Sequence, residues 1–370
     1  MKSAPLFRSR WHRRSALTAA LFCLCTATAT AQSTTRPRPG PAAKAAPTFS
    51  YGQSEAAMAF ATDLAERRNL DPAWVRQQLG AAQRIPAVIR LMQPAPSGTP
   101  KNWAAYRARF IEPVRLRAGQ RFWATHRDTL ARAEAEYGVP ASLIVGVIGV
   151  ETLYGQHTGN FRVIDALATL AFDFPPSHPR AAARTEFFRG ELEQFLSLTE
   201  RTGTDPMSYL GSYAGAMGWP QFMPSSWVKY AIDFDADGKV DLFNSPADVI
   251  GSVANYFKVF GWVPGLPTHY PVRFDPNQSK EDLDTLLAPD ILPSFSVESF
   301  NLKGVLVDSP AAPRHSGKLA LVELQNNGAP STFVAGTENF YVVTRYNWSS
   351  YYALAVIELG EAVRTAAGER

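Results

Sequence analysis

Residues 138–155 read GVPASLIVGVIGVETLYG, and this run decides the fold class. Gly138-Val139-Pro140 ends one helical segment and opens the next, with Pro140 near a first turn where a missing N–H costs nothing. Ile144, Val147 and Ile148 then recur at helical spacing, which predicts a helix over Ala141–Leu153 with an apolar stripe. Glu151 lies three, four and seven residues beyond them and points the same way. A carboxylate there loses solvation, which favours its protonated form and raises its pKa. A carboxylic acid held neutral near pH 7 is what a general acid requires. The same placement also suits an ion pair with a buried arginine, or a frayed helix end stopped by Gly155. The helix alone does not separate these readings.

Outward from that helix the pattern stays helical. Ala56–Arg68, Pro72–Gln83, Trp103–Ala135, Phe187–Thr199 and Asp248–Phe260 carry apolar residues three and four apart. This texture runs from 49 to 273. From 274 to 346 it changes: Lys318–Gln325 and Ser331–Arg345 favour β-branched and aromatic residues and predict strands. Asn326-Asn327-Gly328 and Gly336-Thr337 punctuate them as turns. Helical spacing returns over Tyr351–Thr365, within a last segment 347–370 expected to pack back on the helical region. The expected fold class is mainly α (α+β), with a small β-rich subdomain inserted before a final helix.

The chain has 370 residues, 46% hydrophobic and 19% charged, the composition of a globular core of two or three domains. Residues 1–31 combine five basic side chains, an apolar run from Ala16 to Cys25 and the small-residue pattern Ala29-Thr30-Ala31. They read as a cleaved export signal, and the periplasm is the expected location. Residues 32–48, rich in Pro and Ala, read as a linker. Both cysteines, Cys23 and Cys25, fall inside the signal, so the exported chain is expected to lack thiol chemistry and Cys-ligated zinc. Phe22 and Leu24 sit where a lipoprotein signal needs small residues, so a lipid anchor is not supported. Residues 49–370 carry 29 basic and 33 acidic side chains, a poor balance for sequence-independent nucleic-acid binding.

Two further segments carry chemistry. Ser212–Trp227 (SYAGAMGWPQFMPSSW) concentrates glycine, Ser212, Gln221 and the aromatics Tyr213, Trp219, Phe222 and Trp227. Gly215 and Gly218 could let backbone approach a ligand, and the flat rings could stack on sugars. A tight packing turn is the plainer reading. Asp233-Phe234-Asp235-Ala236-Asp237-Gly238-Lys239-Val240-Asp241 matches the start of an EF-hand calcium loop. Asn244 stands at the closing position, and Asp248 could close a longer loop over 233–248. A solvated Asp-rich turn is the alternative. No paired-histidine zinc motif, G-x-S-x-G or phosphate-binding loop occurs.

Four strings in order resemble the membrane-bound lytic transglycosylase B family: VIGVETLYG (147–155), RVIDAL (162–167), the segment 212–226, and IGSVANYF (250–257). The resemblance runs from Phe49 through the C-terminal helix. It implies a lysozyme-like helical core with a flanking helical region and a small β region. It also implies cleavage of the β-1,4 bond between N-acetylmuramic acid and N-acetylglucosamine in peptidoglycan, leaving 1,6-anhydro ends, for cell-wall turnover. Glu151 would be the single catalytic acid and base. Tyr106, Arg184, Ser212, Gln221, Phe222, Tyr256, Tyr346, Asn347 and Tyr352 would line the groove. Asp233, Asp235, Asp237, the backbone of Lys239 and Asp248 would hold a structural Ca²⁺, with no organic cofactor. The implied partners are peptidoglycan strands and other wall-synthesis or hydrolysis proteins, and a monomer is expected. Three departures stand out: Ala183-Arg184 replaces a paired arginine, Phe187 replaces a tyrosine, and the metal loop is longer before Asp248. A water-using lysozyme-type hydrolase and a non-catalytic peptidoglycan-binding protein are the rival readings.

Overall fold

Caps and prolines set the helix boundaries. The computed structural model describes residues 49–94 and 98–369; the expected signal peptide and linker lie outside them. Helix α1 (Glu55–Arg68) starts where the Ser54 side chain accepts from Ala57 N–H and stops at left-handed Asn69. Helix α2 (Pro72–Ala81) is capped by Asp71, and α3 (Pro86–Leu91) follows with a proline in its first turn. The single helix expected over Trp103–Ala135 is three: α4 (Trp103–Ala108), α5 (Pro113–Thr125) and α6 (Arg127–Tyr137). Pro113 cannot continue a helix, and extended Glu112 caps the next one by accepting from Val114 and Arg115 N–H. Gly138 in the left-handed region ends α6.

Helix α7 (Ala141–Thr152) is buried at every position from Ala141 to Gly149. The apolar stripe expected there is thus a helix enclosed on all sides. It crosses the last helix closely. A Cβ on Gly146 would lie 2.2 Å from Val356 O, and one on Gly360 would lie 2.0 Å from Ser142 O. Only paired glycines permit that approach. Helix α8 (Val163–Phe172) packs against α9 (Ala181–Arg201) and α3, α10 (Pro224–Tyr230) packs on α9, and α11 (Pro246–Val259) packs on α6 and α7. A two-stranded ladder pairs β1 (Phe161–Arg162) with β2 (Leu210–Gly211).

The β-rich part is one antiparallel sheet in the order β4-β3-β6-β5. Its strands are β3 (His269–Phe274), β4 (Val305–Val307), β5 (Ala320–Asn326) and β6 (Ala329–Gly336). Helices α12 (Lys280–Leu287) and α13 (Val297–Leu302) help enclose a small separate core around Leu286, Phe300 and Leu321. The strand expected over Ser331–Arg345 ends at Gly336. Thr337 then caps α14 (Glu338–Asn347) by accepting from Asn339 N–H, so the second half of that run is helical. Its β-branched residues serve a buried helix face, a case of tertiary packing overriding propensity. Helix α15 (Ser350–Ala366) returns to the main core against α7.

Candidate active site

Helix α7 ends at Thr152, one residue beyond Glu151. Leu153, Tyr154 and Gly155 are then all left-handed, with φ of 51°, 58° and 83°. Two of the three carry side chains and so bear backbone strain. The surroundings hold this turn in place. Thr152 Oγ1 donates to Trp219 O at 2.9 Å and accepts from Gly155 N–H at 3.0 Å. A Cβ on Gly155 would lie 2.2 Å from the Trp219 indole. The segment after Glu151 is thereby latched to the Ser212–Trp227 loop.

Glu151 keeps a half-buried surface, yet protein crowds the carboxyl itself. Burial pushes its pKa up to about 7, although a hydrogen bond from Tyr352 favours the ionised form and opposes the rise. That bond runs from Tyr352 Oη to Glu151 Oε1 at 2.6 Å. Among the described residues, no cation pairs with Glu151 and no second carboxylate bonds to it. The ion-pair reading of the sequence therefore has no partner here.

Tyrosines of α14 and α15 close the other side. Tyr346 stacks on Tyr352 with centroids 6.1 Å apart and planes at 13°, and its hydroxyl donates to Pro220 O at 2.6 Å. Tyr256 donates to Arg345 O at 2.8 Å and packs against Phe222 and Tyr346. Phe222 and Tyr256 are almost wholly covered, at 2% and 5% exposure, so both rings face protein on nearly every side. Tyr106 packs with Trp103 and Tyr351. Burial raises the phenols of Tyr346 and Tyr352 well above the ordinary value, so both stay neutral donors.

Two polar side chains of the loop have restricted roles. Ser212 Oγ accepts from Ala214 N–H and Ala216 N–H at 3.3 and 3.0 Å, leaving its hydroxyl proton to donate outward. Gln221 sits at φ 52°, and its Nε2 donates to Thr158 O and Gly218 O, leaving Oε1 as an acceptor. One donor and one acceptor suit an amide. Arg184 is half-buried near Tyr213, and half-buried Asn347 ends α14 beside Tyr346. No contact joins Arg184 or Asn347 directly to Glu151 among the described interactions.

The loop glycines act differently from the sequence expectation. A Cβ on Gly215 would lie 2.4 Å from Leu167, and one on Gly218 would lie 2.6 Å from Leu242 O. They make room for protein, not ligand. Trp227 is likewise buried in the core at 7% exposure. Sequence reasoning also passed over Thr152 and Glu191. Buried Glu191 accepts from Ser225 N–H and Oγ–H at 2.9 and 2.7 Å, fixing the start of α10. Its place among Phe188, Leu192 and Phe195 on α9 repeats the pattern that singled out Glu151.

At the acidic loop, carboxylate oxygens of Asp233, Asp235 and Asp248 lie within 4.8 Å of one another. Asp248 is buried, and its two oxygens accept from Phe234 N–H and Asp241 N–H at 2.7 and 2.8 Å. Asp237 is outside that trio and accepts from Lys239 N–H. Asn244, at the usual closing position, is bound by the Asp241 side chain instead. Three convergent hard oxygens fit a Ca²⁺ ion.

The family profile described as "Transglycosylase SLT domain" matches residues 52–361. Membrane-bound lytic murein transglycosylase B of Escherichia coli (strain K12) is 36% identical over 337 residues, covering 85% of this chain and 84% of that protein. The Escherichia coli lytic transglycosylase Slt35, solved in complex with calcium, is 37% identical with a TM-score of 0.72, covering 86% and 96% of the two chains. SltB3 of Pseudomonas aeruginosa, solved with NAG-anhNAM-pentapeptide, is 30% identical with a TM-score of 0.66, covering 83% and 79%. Their lysozyme-like fold is the fold described above. The chain belongs to the SLT-domain lytic transglycosylase family.

Proposed function

We propose that this chain cleaves the β-1,4 bond between N-acetylmuramic acid and N-acetylglucosamine in peptidoglycan, with Glu151 as the one group that gives and retakes the proton. The observation that carries this reading is a crowded carboxyl whose pKa is pushed up to about 7, with a tyrosine donor and no cation. Ordinary glycosidases need two carboxylates across the bond. Here Glu151 protonates the glycosidic oxygen as the C1–O bond breaks. The substrate's own N-acetyl carbonyl stabilises the positive charge at C1, and Ser212 and Gln221 supply a donor and an acceptor for such amides. The C6 hydroxyl oxygen then bonds to C1 while Glu151 takes its proton, which restores the acid. That hydroxyl is on the same sugar and so outcompetes water by effective concentration.

Glu151→Gln tests the assignment, because an amide cannot donate and recover a proton. Purified peptidoglycan digested by the native chain is expected to release anhydro-ended fragments, 18 Da lighter than hydrolysis products by roughly one water. Residual cleavage by the Gln variant above about 1% of native overturns the role of Glu151.

A calcium ion on Asp233, Asp235 and Asp248 is part of the same reading, supported by their convergence and by the calcium complex of Slt35. It would brace the loop that enters α11. Added calcium is expected to raise the melting temperature, and Asp235→Asn to shrink that gain. An unchanged melting temperature with calcium or chelator refutes the site. Peptidoglycan lies outside the cytoplasmic membrane, in keeping with the export segment expected over residues 1–31.

A further inference from the structure

Charge is distributed unevenly along this chain. Between Lys101 and Arg127, seven basic residues accompany one acid, Glu112. The rest of 49–370 holds 22 basic and 32 acidic residues. The single acid of the stretch is already occupied, since both its oxygens accept backbone N–H groups at the start of α5. Three of the seven cations are used internally. Arg107 pairs with Glu358, Arg127 pairs with Glu369, and Arg115 donates to Gly149 O and Arg109 O. Lys101, Arg109, Arg117 and Arg121 are exposed and form no ion pair among the described residues.

All four lie on α4, on α5 or on the residues that flank α4. Lys101 and Arg109 flank α4, the helix that carries Tyr106. Arg117 and Arg121 stand one turn apart on the solvent face of α5, with exposed Val114 beside them. Elsewhere the surface balance is acidic, so the band is a local positive field on a negative protein.

We infer that this α4–α5 band binds the carboxylates of peptidoglycan stem peptides on strands next to the one being cut. The inference rests on the peptidoglycan-cleaving reading above. It adds a second contact with the same polymer, outside the catalytic groove. Stem peptides end in carboxylates and repeat along each strand, so a row of arginines meets several at once. Arginine suits this because its planar fork takes a carboxylate in bidentate fashion. Each exposed contact is weak and salt-screened, and several together hold the enzyme on an insoluble substrate.

The test is co-sedimentation with intact sacculi, using the Glu151→Gln background so that nothing is cut. The variant R109E/R117E/R121E is expected to bind about tenfold more weakly at low salt. The same loss is expected for the unreversed protein on intact sacculi whose carboxylates are converted to neutral amides with carbodiimide and glycinamide, and in high salt. Cleavage of a short soluble glycan by the charge-reversed enzyme with Glu151 intact is expected to stay native. If charge reversal lowers the melting temperature, R109Q/R117Q/R121Q replaces it and is expected to lose binding in the same direction. Equal binding of native and variant proteins to intact sacculi overturns the inference, as does unaltered binding to the carboxylate-amidated sacculi. So does charge-dependent capture by phosphatidylglycerol vesicles without charge-dependent binding to sacculi. Failure of the cleavage reading would appear separately, as absence of anhydro-ended products from the native chain.

Discussion

Tyr352 Oη donates to Glu151 Oε1 across 2.6 Å, joining residues 201 positions apart. The bonded oxygen is an acceptor, so in the neutral acid the proton resides on Oε2. The tyrosine thus orients the proton as well as holding the side chain. Because its hydrogen bond favours the carboxylate, it also restrains the upward shift caused by burial.

Tyr352→Phe removes that restraint. The Glu151 pKa is expected to move further above about 7, so the alkaline limb of the pH–rate profile shifts upward. The loss of proton orientation is expected to lower kcat about ten- to a hundredfold. A limb that moves to lower pH contradicts this account.

Glu151 also links stability to pH. Its pKa rises from 4.5 in the unfolded chain to about 7 in the fold. The stabilising proton is fully bound in both states below the lower value, and the unfolded chain releases it first as pH rises. Stability therefore falls by about 3 kcal/mol between about pH 4.5 and 7 and is flat above. Glu151→Gln is neutral throughout and keeps an acceptor for Tyr352. In denaturant titrations the variant is expected to gain on the native chain between about pH 4.5 and 7 and to hold that gain above; a constant difference across the range would rule this out.

The glycine crossing of α7 and α15 is what brings Tyr352 to Glu151. Gly146→Ala places a methyl 2.2 Å from Val356 O, a backbone atom that cannot turn aside. A loss of about 3 kcal/mol or more is expected from urea unfolding. Gly190→Ala, with nothing within 4 Å of the added methyl, serves as the control and is expected to be neutral or stabilising.

Asn326 of the β5–β6 hairpin reaches α4 from 222 residues away, its Oδ1 accepting from Ala104 N–H at 3.0 Å beside the N-cap Asn102, which accepts from Ala105 N–H. Asn327 N–H donates to Lys101 O at 2.9 Å. A six-residue helix has little stability of its own, so this clasp positions Tyr106. Asn326→Ala is expected to raise KM several-fold with a smaller effect on kcat, while Asn326→Asp keeps the acceptor and restores KM. In a Tyr106→Ala background the Asn326→Ala effect on KM is expected to vanish; additive effects would count against positioning.

Much of the helical part was legible locally. Ala56–Arg68 and Asp248–Phe260 emerge within two residues of their expected limits, as α1 and α11. The long helix expected from Trp103 divides at Pro113 and His126, because the apolar spacing continues across both breaks. Ser331–Arg345 misled for a different reason. A β-branched run can serve a strand or a buried helix face, and Thr337 divides it by a side-chain cap whose effect depends on Pro267 accepting its hydroxyl. Gly215 and Gly218 were recognisable as special, but the atoms pressing on them belong to Leu167 and Leu242.

Sequence by itself determined the helical class, the α7 boundary at Pro140, the acidic side chain in an apolar run and the spacing of Asp233 and Asp235. These depend on residues within a turn or two of one another. Tertiary structure alone decided that Glu151 has a tyrosine partner and, among the described residues, no cation, that the Asp248 carboxylate converges on Asp233 and Asp235, and that Asn326 holds α4. Each of those contacts joins chain segments that only folding brings together, and pKa, ligation and groove shape depend on neighbours in space.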